Sequence, residues 1–217
     1  MQGLPTRDDS QPKGRGKVII TGTGRAGTTL LVRIFTRLGL DTGFSDAHLN
    51  AVEKEIGRAG LELQITTQTA DFLPEVIKSP LLTELLQTVL AERWFSVDHA
   101  IIPVRSLAEA AGSRITVHER AKTRNMDPRF VPGGLWDVTD PGDQEAELAR
   151  KFYTLVETLV VHQIPTTFLG FPRFAIDAEY FADTMGGFLQ GCFGTSRADL
   201  LAAHAREINL GFIGSHA

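Results

Sequence analysis

At 217 residues with 42% apolar side chains, the chain has the length and the material for one domain with a substantial core. Its formal charge of -4 argues against bulk attraction to nucleic acid. The one cysteine, Cys192, excludes an internal disulfide or a cysteine-based zinc cluster and fits a reducing, cytoplasmic setting.

The opening MQGLPTRDDSQPKGRGK is polar and rich in Pro and Gly, without the apolar run of a secretion signal. It reads as a flexible tail over 1–16 ahead of a domain over 17–217. KVIIT at 17–21 is a short β-branched run ending in glycines, and TTLLVRIFTRLG at 28–39 spaces Leu30, Leu31, Ile34, Phe35 and Leu38 as a helix does. SDAHLNAVEKE carries the signature of a capped surface helix, with Ser45 or Asp46 as cap. EVIKS at 75–79 reads as a strand, and Pro80 opens a helix over 81–92. HAIIPV at 99–104 is another strand; Ser106 with Glu109 three residues on forms a capping box in sequence. A helix follows from about Asp143 to His162, then a strand, TTFLGF, at 166–171. Asp177 is placed to cap a helix over AEYFADTMGGFL. Between them, 119–143 reads as a long loop with four basic residues. No window approaches about 18 uninterrupted apolar residues, so no membrane span is expected.

Short apolar strands alternating with helices imply an α/β fold in three layers, a mostly parallel sheet covered on both faces. Ligands of such sheets bind at the carboxyl ends of the strands, which singles out loops 22–29, 78–80, 104–106 and 170–174. The first of these, GTGRAGTT, has Gly22 and Gly27 bracketing four residues with hydroxyls after the second glycine. In this frame backbone N–H groups and a helix N-terminus cradle an anion. Thr28, however, stands where nucleotide hydrolases keep a lysine that neutralises the β and γ phosphates. Arg25, inside the loop, supplies a planar fork of donors instead.

GRAGTT resembles the 5′-phosphosulfate loop of the sulfotransferase family. In VRSLAEAAGSR, at 104–114, the eight-residue spacing of Arg105 and Ser113 is similar to the family's element for the 3′-phosphate. IKSP at 77–80 looks like its strand-end lysine, and FPRFAIDAEYFADTMGGFL at 171–189 is similar to its C-terminal stretch. The resemblance runs in order from about Lys17 to Leu189. It implies a P-loop-type fold holding 3′-phosphoadenosine 5′-phosphosulfate (PAPS) on Gly24, Arg25, Ala26, Gly27, Thr28 and Thr29, with Arg105 and Ser113 on the 3′-phosphate and no metal. It further implies transfer of a sulfuryl group to a hydroxyl or amine of a small molecule or glycan, with Lys78 as the cation beside the leaving phosphate.

The base that takes the acceptor's proton does not carry over. Branches of the family place a histidine where this chain has Pro80, and others use an acidic residue after the first helix. Asp46, His48 and Glu53 lie there, and Asp46 and His48 stand closest to that helix. The family's glycine- and lysine-rich closing segment has no counterpart; GTSRADL at 194–200 offers only Arg197. His118, Glu119 and Arg120 read as surface, and Lys122, Arg124 and Arg129 as acceptor-attracting or solubilising charges. Trp136 and Phe130 suit either an acceptor pocket or the packing of the long loop. Cys192 reads as packing. Two other functions fit the same loop, a nucleotide kinase with a degenerate P-loop and a binding protein without turnover. Oligomeric state is not legible.

Overall fold

The computed structural model describes residues 16–52 and 60–208. Residues 1–15 of the tail expected over 1–16, Glu53 with the rest of 53–59, the side chain of Phe130 and residues 209–217 lie outside the described residues.

Among the described residues, four strands form one sheet in which every neighbouring pair is parallel: β1 (Lys17–Ile20), β2 (Val76–Lys78), β3 (Val97–Val104) and β4 (Thr166–Gly170), in the order β2-β1-β3-β4. Eight α-helices accompany them: α1 (Thr28–Arg37), α2 (Asp46–Val52), α3 (Leu82–Ala91), α4 (Leu107–Thr123), α5 (Gln144–Val161), α6 (Arg173–Ile176), α7 (Ala178–Phe193) and α8 (Arg197–Glu207). The α/β, three-layer expectation holds.

Side chains alternate across a strand, so one short β-branched run serves two cores. Val18 and Ile20 join Leu31, Ile34 and Phe35 of α1, Phe181, Met185 and Leu189 of α7, and Leu200 of α8. Ile19 and Ile77 face the other way, packing with Leu82, Leu86 and Val89 of α3 and Leu155 and Leu159 of α5. Helix α4 reaches the second layer through Ala110 and Ala111, which meet Leu148 of α5. Burial of these Leu, Ile and Phe side chains supplies about 1.5–3 kcal/mol each, the main term holding the layers together.

The chain leaves β1 into the α1 layer and leaves β3 into the α4–α5 layer. The order therefore reverses between β1 and β3, and the loops after these two strands leave neighbouring carboxyl ends for opposite layers, the place where sheets of this kind bind ligands.

Three local expectations change. Helix α4 continues to Thr123, which shortens the loop to 124–143, itself punctuated by single 3₁₀ turns at Pro128–Phe130 and Pro141–Asp143. The segment containing GTSRADL opens a full helix, α8, whose Ser196 cap accepts from Asp199 N at 3.1 Å. The capping box at Ser106 is half made. Ser106 Oγ accepts from Glu109 N at 3.5 Å, but the Glu109 carboxylate turns to Arg105 Nε at 3.2 Å.

Candidate functional site

The loop after β1 is shaped by positive φ angles at Gly22 (129°), Gly24 (73°), Arg25 (58°) and Gly27 (85°). Gly27 is needed twice over. It caps α1 in the left-handed region, and a Cβ there would stand 2.7 Å from Phe174 and 2.8 Å from Phe171. A glycine cap has no side-chain acceptor, so the first N–H groups of α1 carry no side-chain cap. Those donors, with the positive end of the helix dipole, face the loop. Ala26 is buried and Thr28 begins the helix.

Four cations converge on this loop. Arg25 Nε donates to Ser113 Oγ at 3.0 Å, and Arg105 Nη1 donates to the Arg25 carbonyl at 3.4 Å while its guanidinium lies over Phe171. Arg114, only 6% exposed, donates through Nη2 to Thr23 O and through Nη1 to Gly134 O, both at 2.7 Å. The fourth is Lys78, 2% exposed at the end of β2, whose Nζ donates to Thr29 Oγ1 at 3.0 Å, to Gly60 O and to Glu62 Oε1 at 3.2 Å. Strand alternation explains this position: Lys78 shares the face of Val76, which belongs to the α1 core.

Burial leads the electrostatics, and crowding adds to it. The Arg25 pKa is pushed down to about 10 by burial and then by Arg105 and Arg120. Arg114 is pushed to about 10 by burial and by Arg25, against the opposing pull of Glu62 and Asp137. Lys78 is lowered by burial, with Glu62 opposing and Arg25 adding. Arg25, Lys78, Arg105 and Arg114 thus gather at the loop with Arg120 near enough to act on Arg25, and among the described residues Glu62 and Glu109 are carboxylates that contact them. Such an excess of positive charge suits an anion with several charges. One more polar atom is left over: Arg114 Nε is buried and has no hydrogen-bond partner among the described residues.

Of the residues singled out in the sequence, Gly24, Arg25, Ala26, Gly27, Thr28, Thr29, Lys78, Arg105 and Ser113 come together. Their arrangement differs from two separate anion contacts, because Arg25 bonds Ser113 through its side chain and Arg105 through its carbonyl. Asp46 is not brought to the loop. Its carboxylate pairs with Arg37 at 2.6 Å, at the far end of α1 and about 13 Å of helix away from Thr28. The exposed His48 turns its Nδ1 to Ser45 at the start of its own helix and its ring edge to Phe44. Arg197 is paired with Asp183 and Glu179 of α7. Trp136 packs against α4 and α5.

Two residues of the cluster were missed in the sequence. Glu62 reaches Lys78 from a connecting segment whose path no periodicity gives. Arg114 directly follows Ser113, and its signal was an arginine on the core side of a helix. Compared with protein-family models, with curated proteins and with solved structures, the chain matches none.

Proposed function

We propose that the chain is a sulfotransferase using PAPS, with a hydroxyl or amine of a small molecule or glycan as acceptor. The observation that carries this reading is the convergence of Arg25, Arg105, Ser113 and Arg114 on an uncapped helix N-terminus at the β1/β3 reversal. The residues fit such a donor. Loop amides from Gly24 to Thr29 with Arg25 would hold the 5′ end, Arg105 and Ser113 would hold the 3′-phosphate, and the cation excess matches a ligand with two phosphorylated positions. PAPS supplies an activated sulfuryl group, whose charge is lower than that of a terminal phosphoryl group. One side-chain cation with backbone donors suffices for it in place of a P-loop lysine.

Lys78 keeps its Nζ beside the Thr29 hydroxyl at the mouth of the loop, where a positive charge stabilises a leaving phosphate. Glu62, 3.2 Å from that ammonium and 38% exposed, is our choice for the proton acceptor in place of Asp46 and His48. A carboxylate there is open to an incoming acceptor and is held in position by Lys78.

The test is transfer of labelled sulfate from PAPS to an acceptor panel, run beside calorimetry with adenosine 3′,5′-bisphosphate, AMP and ATP with magnesium. Tight binding of the bisphosphate with transfer supports the reading. Binding without transfer on any acceptor makes the chain a nucleotide-binding protein, and preference for ATP with magnesium returns it to the kinases.

A further inference from the structure

Arg114 occupies a place where an apolar residue would pack at lower cost. It lies on the core side of α4 one residue after Ser113, is 6% exposed, and leaves Nε without a partner among the described residues. A buried arginine is retained where its donors have fixed destinations. Here they are two backbone carbonyls far apart in the chain, Thr23 O in the glycine loop and Gly134 O in the 124–143 segment. The fit at the loop end is close, since a Cβ on Gly24 would stand 2.7 Å from Arg114 Nη2. Gly24 is thus small on account of Arg114 as well as of its positive φ.

The guanidinium carbon Cζ of Arg114 lies over the indole of Trp136, 4.9 Å from the ring centroid. The same indole has Lys151 Nζ over it at 4.7 Å. Gln144 holds the Trp136 backbone on both sides, accepting from its N–H at 2.7 Å and donating to its carbonyl at 3.4 Å. Lys151 in turn holds Asp137 at 2.6 Å. Residues 134–137 are therefore clamped at one end by α5 and at the other by Arg114, which also touches the glycine loop.

We propose that Arg114 is a positioning residue that joins the glycine loop to the 134–137 segment, so that filling the loop with an anion is felt at Trp136. The inference rests on the loop's being an anion site, as argued above. An anion beside Arg25 relieves the repulsion between the Arg25 and Arg114 guanidiniums, which strengthens the hold of Arg114 on both carbonyls and on the indole. Coupling of this kind is reciprocal: whatever loosens Trp136 weakens anion binding by the same factor, although Trp136 is in a different layer from α1.

The chain has two tryptophans, so Trp94→Phe leaves Trp136 as the only indole. Full-length W94F protein is titrated with adenosine 3′,5′-bisphosphate by calorimetry and by indole emission, alongside the W94F/R114K double variant. The expected result is an emission change in W94F with the calorimetric midpoint, and in W94F/R114K binding about tenfold weaker with the emission change lost. Heat of binding with a silent indole in W94F overturns the coupling and leaves the anion site standing. Neither heat nor emission change overturns both. If W94F/R114K does not fold, Trp136→Phe in the otherwise natural chain replaces it: a three- to tenfold weaker bisphosphate by calorimetry supports the proposal, and an unchanged affinity overturns it.

Discussion

Arg25 Nε donates to Ser113 Oγ at 3.0 Å, joining the glycine loop to the middle of α4 across 88 positions of chain. The Arg25 carbonyl accepts from Arg105 as well, so the residues expected at two ends of a ligand share one hub. Replacing Ser113 by Ala and Arg25 by Ala should therefore cost less together than the sum of the two. A charged hydrogen bond contributes about 1.5–3 kcal/mol, and a cycle on adenosine 3′,5′-bisphosphate affinity should return a coupling of about 1–2 kcal/mol. Strict additivity would separate the two residues.

Lys78 is a buried ammonium lowered from its ordinary range by burial first, with Glu62 opposing. A lysine held below its unfolded value costs stability at neutral pH. That cost is relieved as pH rises from the folded pKa towards about 10.4, where the unfolded chain still binds the proton. Lys78→Met should accordingly raise the melting temperature at pH 7 by a few degrees, with the gain shrinking towards pH 10, and should abolish transfer. A lower melting temperature at pH 7 would mean that the contacts to Thr29, Gly60 and Glu62 outweigh the desolvation of the charge.

If Glu62 takes the acceptor's proton, Glu62→Gln lowers turnover on the order of 10²-fold. Bisphosphate affinity should hold or improve, since a negative charge leaves the neighbourhood of Lys78. Asp46→Asn, at the carboxylate that pairs with Arg37 at the far end of α1, should leave turnover unchanged. Single-turnover kinetics with the most active acceptor of the panel distinguish these outcomes, and a loss on Asp46→Asn larger than on Glu62→Gln would reverse the assignment.

The side chain of Glu207, 1% exposed near the end of α8, is gripped by Arg33 Nε at 2.6 Å and Arg37 Nε at 2.5 Å. Removing this carboxylate takes away the partner that the two arginines share, although Arg37 keeps Asp46 and Arg33 keeps the Leu49 carbonyl, at about 3 kcal/mol. Glu207→Ala should lower the melting temperature by about 10 °C, with bisphosphate affinity per folded molecule little changed. A shift of a degree or two would show that water solvates the two arginines readily.

The layers were legible because β1, β2 and β3 are β-branched runs and α1, α3 and α5 keep helical spacing. Helix α8 was not, because its inward stripe is Leu200, Ala203, His204 and Glu207, and two polar members hide the period although Ser196 and Asp199 mark its start. The eight-residue spacing of Arg105 and Ser113 singled out two residues that both meet Arg25, but not which of its groups each one bonds. Glu109 was expected to complete a cap and instead binds Arg105, a choice between two donors that sequence does not rank. Glu62 depends on where a connecting segment crosses the end of β2, and Arg114 on which way a single helical arginine points.

The sheet insulates the α1–α7–α8 side from the α3–α4–α5 side nearly everywhere, because Val18 and Ile20 belong to one core and Ile19 to the other. Past the carboxyl ends of β1 and β3 the two halves meet through Arg25, Arg105 and Arg114, whose like charges act on one another. A multiply charged anion seated among them would act as a rivet across that seam. Substrate occupancy and mechanical integrity would then be one quantity: at a bisphosphate concentration of 100 times Kd the gain is about 2.7 kcal/mol, and the two halves should come apart together only after the rivet has left.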